Sequence, residues 1–223
     1  MVPEDQQKSL LRRILRNSVP DSLLQQRETF LRLGPKAGPI YARLRLLRMF
    51  SPNESRLPHT ARSIAFVCSG NLMRSPMAEA FFRLSTARAG LTGIQICSAG
   101  IHAIPGTKAH PWAVETSSEV GLDLSDHRAK SLTSALMSQS DVVFAMDLEN
   151  KAELLSLYPK LRHKVFMLGA YANIEKSCVE IRDPYFGGLE VTRLCSRILQ
   201  TCVCNLTTEL LNGGKQRAAD SPL

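Results

Sequence analysis

The sequence predicts an α/β fold in which a parallel sheet is covered by helices on both faces. Two observations carry this. Four short apolar runs, SIAFV (63–67), IQIC (94–97), DVVFAM (141–146) and KVFML (164–168), recur from Arg62 onward, with a turn after each and helical stretches between them. They are apolar at consecutive positions rather than alternate ones, as strands buried on both faces are, and strands separated by helices pair in parallel. A third observation sets the limits: residues 1–60 lack this pattern.

The N-terminal segment reads as short helices broken by turns. Leu10, Leu11, Ile14 and Leu15 recur at helical spacing, Pro20 interrupts, and Leu23, Leu24, Phe30 and Leu31 follow before a break at GPKAGP (34–39). Ile40, Leu44, Leu47 and Phe50 then form one stripe with Arg43, Arg45 and Arg48 interleaved, and SPNESRLPHT (51–60) reads as a linker. Beyond it the helices are expected at about 75–90, 109–120, 131–137, 148–157 and 187–212, and GGKQRAADSPL as a flexible tail at 213–223. This divides the chain into a basic helical extension with its linker (1–60), one α/β domain (61–212) and the tail. No internal repeat is visible.

With 223 residues, 44% of them hydrophobic, the chain is long enough for one substantial core with an appendage. No apolar run approaches the roughly 18 residues that span a bilayer, and the N-terminus lacks the order of a secretory signal, so the expected location is the cytoplasm. Cysteines 68, 97, 178, 195, 202 and 204 are read as reduced thiols. Cys202 and Cys204, one residue apart on a helix, point in different directions, so no metal site and no cofactor are expected.

The net charge of +8 is uneven, with residues 1–60 carrying eleven Lys/Arg against five Asp/Glu. Nucleic-acid binding is disfavoured because stacking aromatics are few. Docking of the extension's apolar stripe on the α/β domain is favoured over a weak contact with an anionic membrane surface. Oligomeric state leaves no mark on the sequence.

The chemistry is concentrated in VCSGNLMRSPMAEAFFR (67–83). In an open α/β sheet, ligands bind beyond the carboxyl ends of the strands, where Cys68 is expected to stand. Ser69, Gly70, Asn71, Leu72 and Met73 form a loop whose N–H groups can converge on one point. Gly70 and Asn71 tolerate the left-handed backbone of such a nest, and Ser75-Pro76 opens a helix whose positive end faces an anion. This is a phosphate cradle without the Gly-Lys-Ser/Thr ending of a nucleotide-binding loop. The amides, the helix start and Arg74 are expected to depress the Cys68 pKa and leave a thiolate at neutral pH. Arg74 can hold two phosphoryl oxygens with its planar fork, and Ser75 is placed to donate to the sulfur. Asp183 precedes Pro184, which keeps its backbone extended on a late loop able to close over the cradle.

VCSGNLMRSPMAEA resembles the signature of the low-molecular-weight protein tyrosine phosphatases. SAGIHA (98–103), AHPWA (109–113), GLDLSDHRAKSL (121–132), DVVFAMDLEN (141–150) and IRDPYFGG (181–188) follow in that family's order. The resemblance covers about residues 62–212. It implies a flavodoxin-like three-layer sandwich with a four-stranded parallel sheet, and a phosphotyrosine-containing protein as substrate. It also implies catalysis in which Cys68 attacks phosphorus to form a cysteinyl-phosphate, Arg74 and the loop amides stabilise the equatorial oxygens, and Asp183 acts first as acid and then as base. By the same similarity Asn71, Ser98 and His127 form the network that holds the loop. Leu72, Tyr185 and Phe186 line the substrate rim, while Trp112 is read as packing.

Two departures follow. Many relatives have a second cysteine where this chain has Met73, so an oxidised Cys68 lacks a neighbouring thiol to trap it as a disulfide. Relatives that dephosphorylate arginine carry threonine at the position of Leu72, and an apolar branched residue there favours an aryl phosphate. Phosphoarginine hydrolysis, arsenate reduction using Cys178 and non-catalytic phosphate binding are the alternatives on the same cradle.

Overall fold

The computed structural model describes residues 21–50, 61–172 and 180–220, with residues 21–24, 49, 50 and 213–220 described by backbone alone. Four parallel strands form one sheet: β1 (Ser63–Cys68), β2 (Gln95–Gly100), β3 (Val142–Ala145) and β4 (Val165–Met167), in the order β2-β1-β3-β4. The apolar runs become these strands because their side chains are buried on both sheet faces. Ile64, Phe66 and Cys68 join one core cluster, while Ala65 and Val67 join the other.

Helices α1 (Asp21–Phe50), α2 (Arg74–Arg88), α3 (Pro111–Ser118), α4 (Ser134–Gln139), α5 (Leu148–Leu157) and α6 (Gly188–Asp220) complete the described residues, with short 3-10 turns at Pro159–Lys164 and Leu168–Tyr171. On the first face, Met77 and Phe82 of α2 pack with Leu199, Val203 and Leu206 of α6 around Phe66 and Phe144. On the second, Met137 of α4 and Leu148, Ala152 and Leu154 of α5 cover Ala65, Val67 and Val143. This is the expected three-layer sandwich.

Chain order and sheet order diverge at the central pair. The connection from β1 leads to one side of it, and the connection from β2 crosses back to β3, so the topological switch point lies between the carboxyl ends of β1 and β3. Cys68 ends β1 and Asp147 lies two residues past β3.

The N-terminal segment differs from expectation in its continuity. GPKAGP does not separate two helices by a loop but bends a single path at Gly34, whose φ of 71° and ψ of −170° suit glycine. The inward face also differs. Tyr41 is 5% exposed, and Leu33, Ile40 and Leu44 pack with it on the α5 side of the core, whereas Leu47 is 49% exposed. Positions 37, 41, 44 and 48 follow the helical period, so the face continues to Arg48 and turns Leu47 outward. The extension therefore lies against α5, fixed further by bonds from Thr29 Oγ1 (3.3 Å) and Arg32 to Glu149.

At the other end, the helix expected to stop at 212 runs on to Asp220. The residues read as helical before Pro20, the linker at 51–60 and Cys178 lie outside the described residues. Among the described residues no helix is long and apolar enough to cross a membrane.

Candidate active site

The turn between β1 and α2 is built by tying its carbonyls outward. Ile101 N donates to Cys68 O (3.0 Å), His102 N to Ser69 O (2.8 Å) and His110 N to Leu72 O (3.0 Å). His127 Nε2 bonds Asn71 O at 2.8 Å. With four carbonyls engaged from outside, the loop turns its amides toward its centre, the concavity an anion needs.

Asn71 is the pivot of this loop. It is the only described non-glycine residue with positive φ, at 55°, while Gly70 lies outside the left-handed region. The left-handed step expected of both residues thus belongs to Asn71 alone, because its side chain can be fully bonded there. Its Nδ2 donates to Ser75 Oγ (2.8 Å) and Ser98 Oγ (2.9 Å), its Oδ1 accepts from Lys130 N (2.9 Å), and its own N–H donates to Cys68 Sγ (3.2 Å). Asn71, Ser98 and His127 are brought together as expected.

Cys68 Sγ lies 3.0 Å from Ser75 Oγ. The single hydroxyl proton of Ser75 serves either that sulfur or the Ala99 carbonyl at 3.3 Å. Gly100, opposite Cys68 in the β1–β2 ladder, allows the loop to sit this close: a Cβ there would fall 2.7 Å from both Asn71 N and Ser69 O.

Arg74 is 2% exposed and donates to three groups. Nη1 reaches Asp147 Oδ2 and Ile181 O (3.0 Å), and Nη2 reaches Asp183 Oδ2. Burial works against its charge, but Asp147, Cys68 and Asp183 around it raise its pKa above the ordinary arginine value. Asp183 Oδ1 in turn accepts from Tyr185 N at 3.1 Å, an Asx-turn that fixes the carboxyl at the cradle mouth.

Asp147 was not singled out from the sequence. It caps α5, with Oδ1 accepting from Asn150 N at 2.7 Å, and so aims its second oxygen at Arg74. Two signals mark it: an Asp just past a strand's carboxyl end, and the Asp-x-x-Asn spacing at a helix start.

Around the mouth, Leu72, Tyr185 and Phe186 border a cavity of about 1180 Å³ that also takes in Cys68, Arg74 and Asp183. The Tyr185 and Phe186 rings meet edge to face at 4.9 Å, and His110 braces Tyr185 from the other side at 5.2 Å. Phe186 is 95% exposed. Trp112 packs against the core beside His110, as expected. The far wall of the cavity is made by α1, through residues such as Thr29, Arg32, Tyr41, Arg45 and Arg48. No resemblance covered that wall.

The arrangement offers a sulfur at the floor of an anion nest, a buried cationic fork beside it, and a carboxyl at the entrance. It is suited to in-line attack on a phosphorus atom, with leaving-group protonation from the mouth.

Comparison with known proteins agrees with this geometry. Residues 63–216 match the family model described as low molecular weight phosphotyrosine protein phosphatase. A probable low molecular weight protein-tyrosine-phosphatase EpsP of Ralstonia nicotianae is 42% identical over 124 residues, covering 56% of this chain and 79% of that one. A protein-arginine-phosphatase of Bacillus subtilis is 37% identical over 147 residues, 66% of this chain and 95% of the relative. The solved structure of the tyrosine phosphatase Wzb from Escherichia coli in complex with sulphate is 28% identical, with a TM-score of 0.61 over 68% of this chain and 99% of its own. With a matched model over most of its length and the same sheet beneath the cradle, the chain belongs to the low molecular weight phosphotyrosine protein phosphatase family.

Proposed function

We propose that this chain hydrolyses phosphotyrosine in protein substrates through a cysteinyl-phosphate intermediate. The observation that carries the reading is the convergence of Cys68, Arg74 and Asp183 on one loop mouth, with Asn71 N–H directed at the sulfur. In the free protein Asp183 occupies half of the Arg74 fork. An incoming phosphoryl group displaces it from Nη2, while Asp147 and Ile181 O keep their hold on Nη1.

Cys68 sulfur then attacks phosphorus as the bond to the leaving oxygen breaks. The electron pair goes to that oxygen, and Asp183 supplies its proton. In the second step Asp183, now a carboxylate, takes a proton from water as the water attacks the cysteinyl-phosphate; the S–P bond breaks, and Ser75 Oγ is positioned to stabilise the departing sulfur. Asn71, Ser98 and His127 act indirectly, by keeping the loop in its anion-binding shape.

The preference for an aryl ester rests on the rim. Leu72, Tyr185 and Phe186 border the cavity with apolar and aromatic surface on which a phenyl ring can pack, with offset or edge contacts worth about 0.5–1.5 kcal/mol per aromatic pair. The relatives include enzymes named for both tyrosine and arginine.

The test is phosphate release from p-nitrophenyl phosphate across pH 5–8 by wild type, Cys68→Ser and Asp183→Ala, followed by kcat/KM for phosphotyrosyl and phosphoarginyl peptides. Activity is expected to vanish in the first variant and kcat to fall by about 10²-fold in the second, where hydrolysis of the cysteinyl-phosphate loses its base, and kcat/KM is expected to favour the phosphotyrosyl peptide. An inactive, fully reduced wild type would overturn the hydrolase reading. Preference for the phosphoarginyl peptide would reassign the substrate.

A further inference from the structure

The extension forms one wall of the cavity that opens on Cys68, and its arginines there are committed to carboxylates of the catalytic domain. Arg45 Nη1 and Arg48 Nη1 donate to Glu180 Oε1 at 3.1 and 3.0 Å, and Arg32 pairs with Glu149. Three arginines thus meet two carboxylates, and the pairing fastens this wall to the catalytic domain. What it fastens is the acid segment, since Glu180 lies three residues before Asp183.

That segment is stitched at successive points. Glu180 Oε2 accepts from Leu148 N at 3.3 Å, at the start of α5. Ile181 N donates to Met146 O at 2.9 Å. Ile181 O and the Asp183 carboxylate both accept from Arg74. The Asp183–Arg74 bond is the one a bound phosphoryl group must break, because it occupies the fork. Once substrate is in place, the acid is held by its own turn to Tyr185 N and by the bonds upstream of it, among which the ties of Glu180 to Arg45 and Arg48 are the ones that reach outside the family's own domain.

Arg45 and Arg48 are themselves well seated for this. Arg45 lies over the ring of Tyr41, 5.8 Å from its centroid, and Tyr41 is buried in the core on the α5 side. The anchor is thus continuous from the core, through Tyr41 and Arg45, to Glu180 and the acid segment.

We propose that the N-terminal extension is a working part of the active site, in which Arg45 and Arg48 are positioning residues that hold Asp183 at its proton-transfer distance through Glu180. The proposal rests on the phosphatase reading above. It assigns to residues outside the family match a contribution to the rate of one chemical step, the protonation of the leaving oxygen.

The experiment uses the full chain and compares kcat/KM for phenyl phosphate, whose leaving group needs a proton, with that for p-nitrophenyl phosphate, whose leaving group needs it much less. Because kcat/KM reports steps up to the cysteinyl-phosphate, it isolates the acid's first role. The variants are Glu180→Gln, the double change Arg45→Gln with Arg48→Gln, and Arg43→Gln as an exposed control on the same helix. Each is made in wild type and in Asp183→Asn. Removing a general acid altogether costs about 10²–10⁴-fold, and loosening it is expected to cost about tenfold on phenyl phosphate. The expected losses on p-nitrophenyl phosphate are under about twofold, with no change for Arg43→Gln and no further loss in the Asp183→Asn background.

Equal losses on both esters, no loss on either, or an undiminished loss without Asp183 would each overturn the positioning role. Glu180→Gln keeps size and shape, so it decides the matter even if the double arginine change loosens α1. A wild type inactive on both esters would sink the phosphatase reading, a result distinct from these.

Discussion

Arg74 and Asp147 form a buried ion pair that joins the start of α2 to the start of α5 across the switch point of the sheet. The pair settles which half of the arginine fork stays fixed. Nη1 is held by Asp147 and Ile181 O, while Nη2 meets Asp183, whose side chain is far more exposed and free to give way to a phosphoryl oxygen. Removing Asp147 leaves Arg74 with one fewer counter-charge where water is scarce, and breaking a buried pair in this way costs about 3–5 kcal/mol. Asp147→Ala also removes a helix cap worth about 1 kcal/mol, whereas Asp147→Asn keeps an oxygen for the cap. Both variants are expected to lower kcat/KM for p-nitrophenyl phosphate by at least tenfold, and Asp147→Ala to show the lower chemical-denaturation midpoint. Wild-type kcat/KM in Asp147→Asn would show that Arg74 is aligned without this partner.

Gly100→Ala should separate loop shape from chain stability. The added Cβ would sit 2.7 Å from two backbone atoms of the cradle, Asn71 N and Ser69 O, so the loop must move rather than a side chain. Overpacking of this kind costs about 1–3 kcal/mol, which a chain of this size can absorb. The expected result is a folded protein with a cooperative melt and at least a hundredfold loss of activity. Near-normal turnover would mean that the loop tolerates displacement at its floor.

How much of this was legible in the sequence follows the distance over which each contact acts. Cys68, Arg74 and Ser75 were readable because strand end, nest and helix start are contiguous, and each residue's role follows from its place in that one turn. Asn71, Ser98, His127 and the rim came with the family's ordered motifs. Asp147 was hidden because its partner is 73 residues away, and only its position past β3 hinted at it. The ties of Arg45 and Arg48 to Glu180 span 135 and 132 residues and have no periodic signature at all. The misjudged face of α1 has a more local cause. Four apolar residues suggested a stripe ending at Leu47 and Phe50, but the helix turns on the register of Ala37, Tyr41 and Leu44, which leaves Leu47 exposed and Arg48 half-buried. Gly213 and Gly214 suggested a stop, yet the backbone of α6 continues through them.

Leu72 supplies a direct handle on substrate class. It borders the cavity beside Tyr185 and Phe186, and its branched apolar side chain offers a phenyl ring a surface that a hydroxyl would interrupt. Leu72→Thr is expected to lower kcat/KM for a phosphotyrosyl peptide about fivefold, in keeping with a loss of about 1 kcal/mol of apolar contact. The same change should leave hydrolysis of a phosphoarginyl peptide undiminished or improved. Parallel losses on both peptides would show that Leu72 supports the loop rather than the ring.

Oxidation should inactivate this protein in a way that thiols reverse poorly. The position before Arg74 is Met73, which cannot condense with a sulfenic acid. Cys195, on α6 and close enough for its charge to be coupled to those of Arg74 and Cys68, is one alternative among the described residues, but burial pushes its thiol up to about 12. At neutral pH it is held as the thiol, and it is the thiolate that resolves a sulfenic acid into a disulfide. Peroxide should therefore carry Cys68 past the reversible stage, adding two oxygens to one sulfur, a mass gain confined to the peptide that contains Cys68. Phosphate at saturating concentration should protect, because it fills the cradle above the sulfur. Dithiothreitol added after complete inactivation is expected to restore under about a fifth of the activity, since sulfinic acid lies beyond the reach of thiol reduction. Full recovery, with a Cys68–Cys195 disulfide found by mass spectrometry before reduction, would show instead that α6 opens far enough for Cys195 to ionise and close the bond.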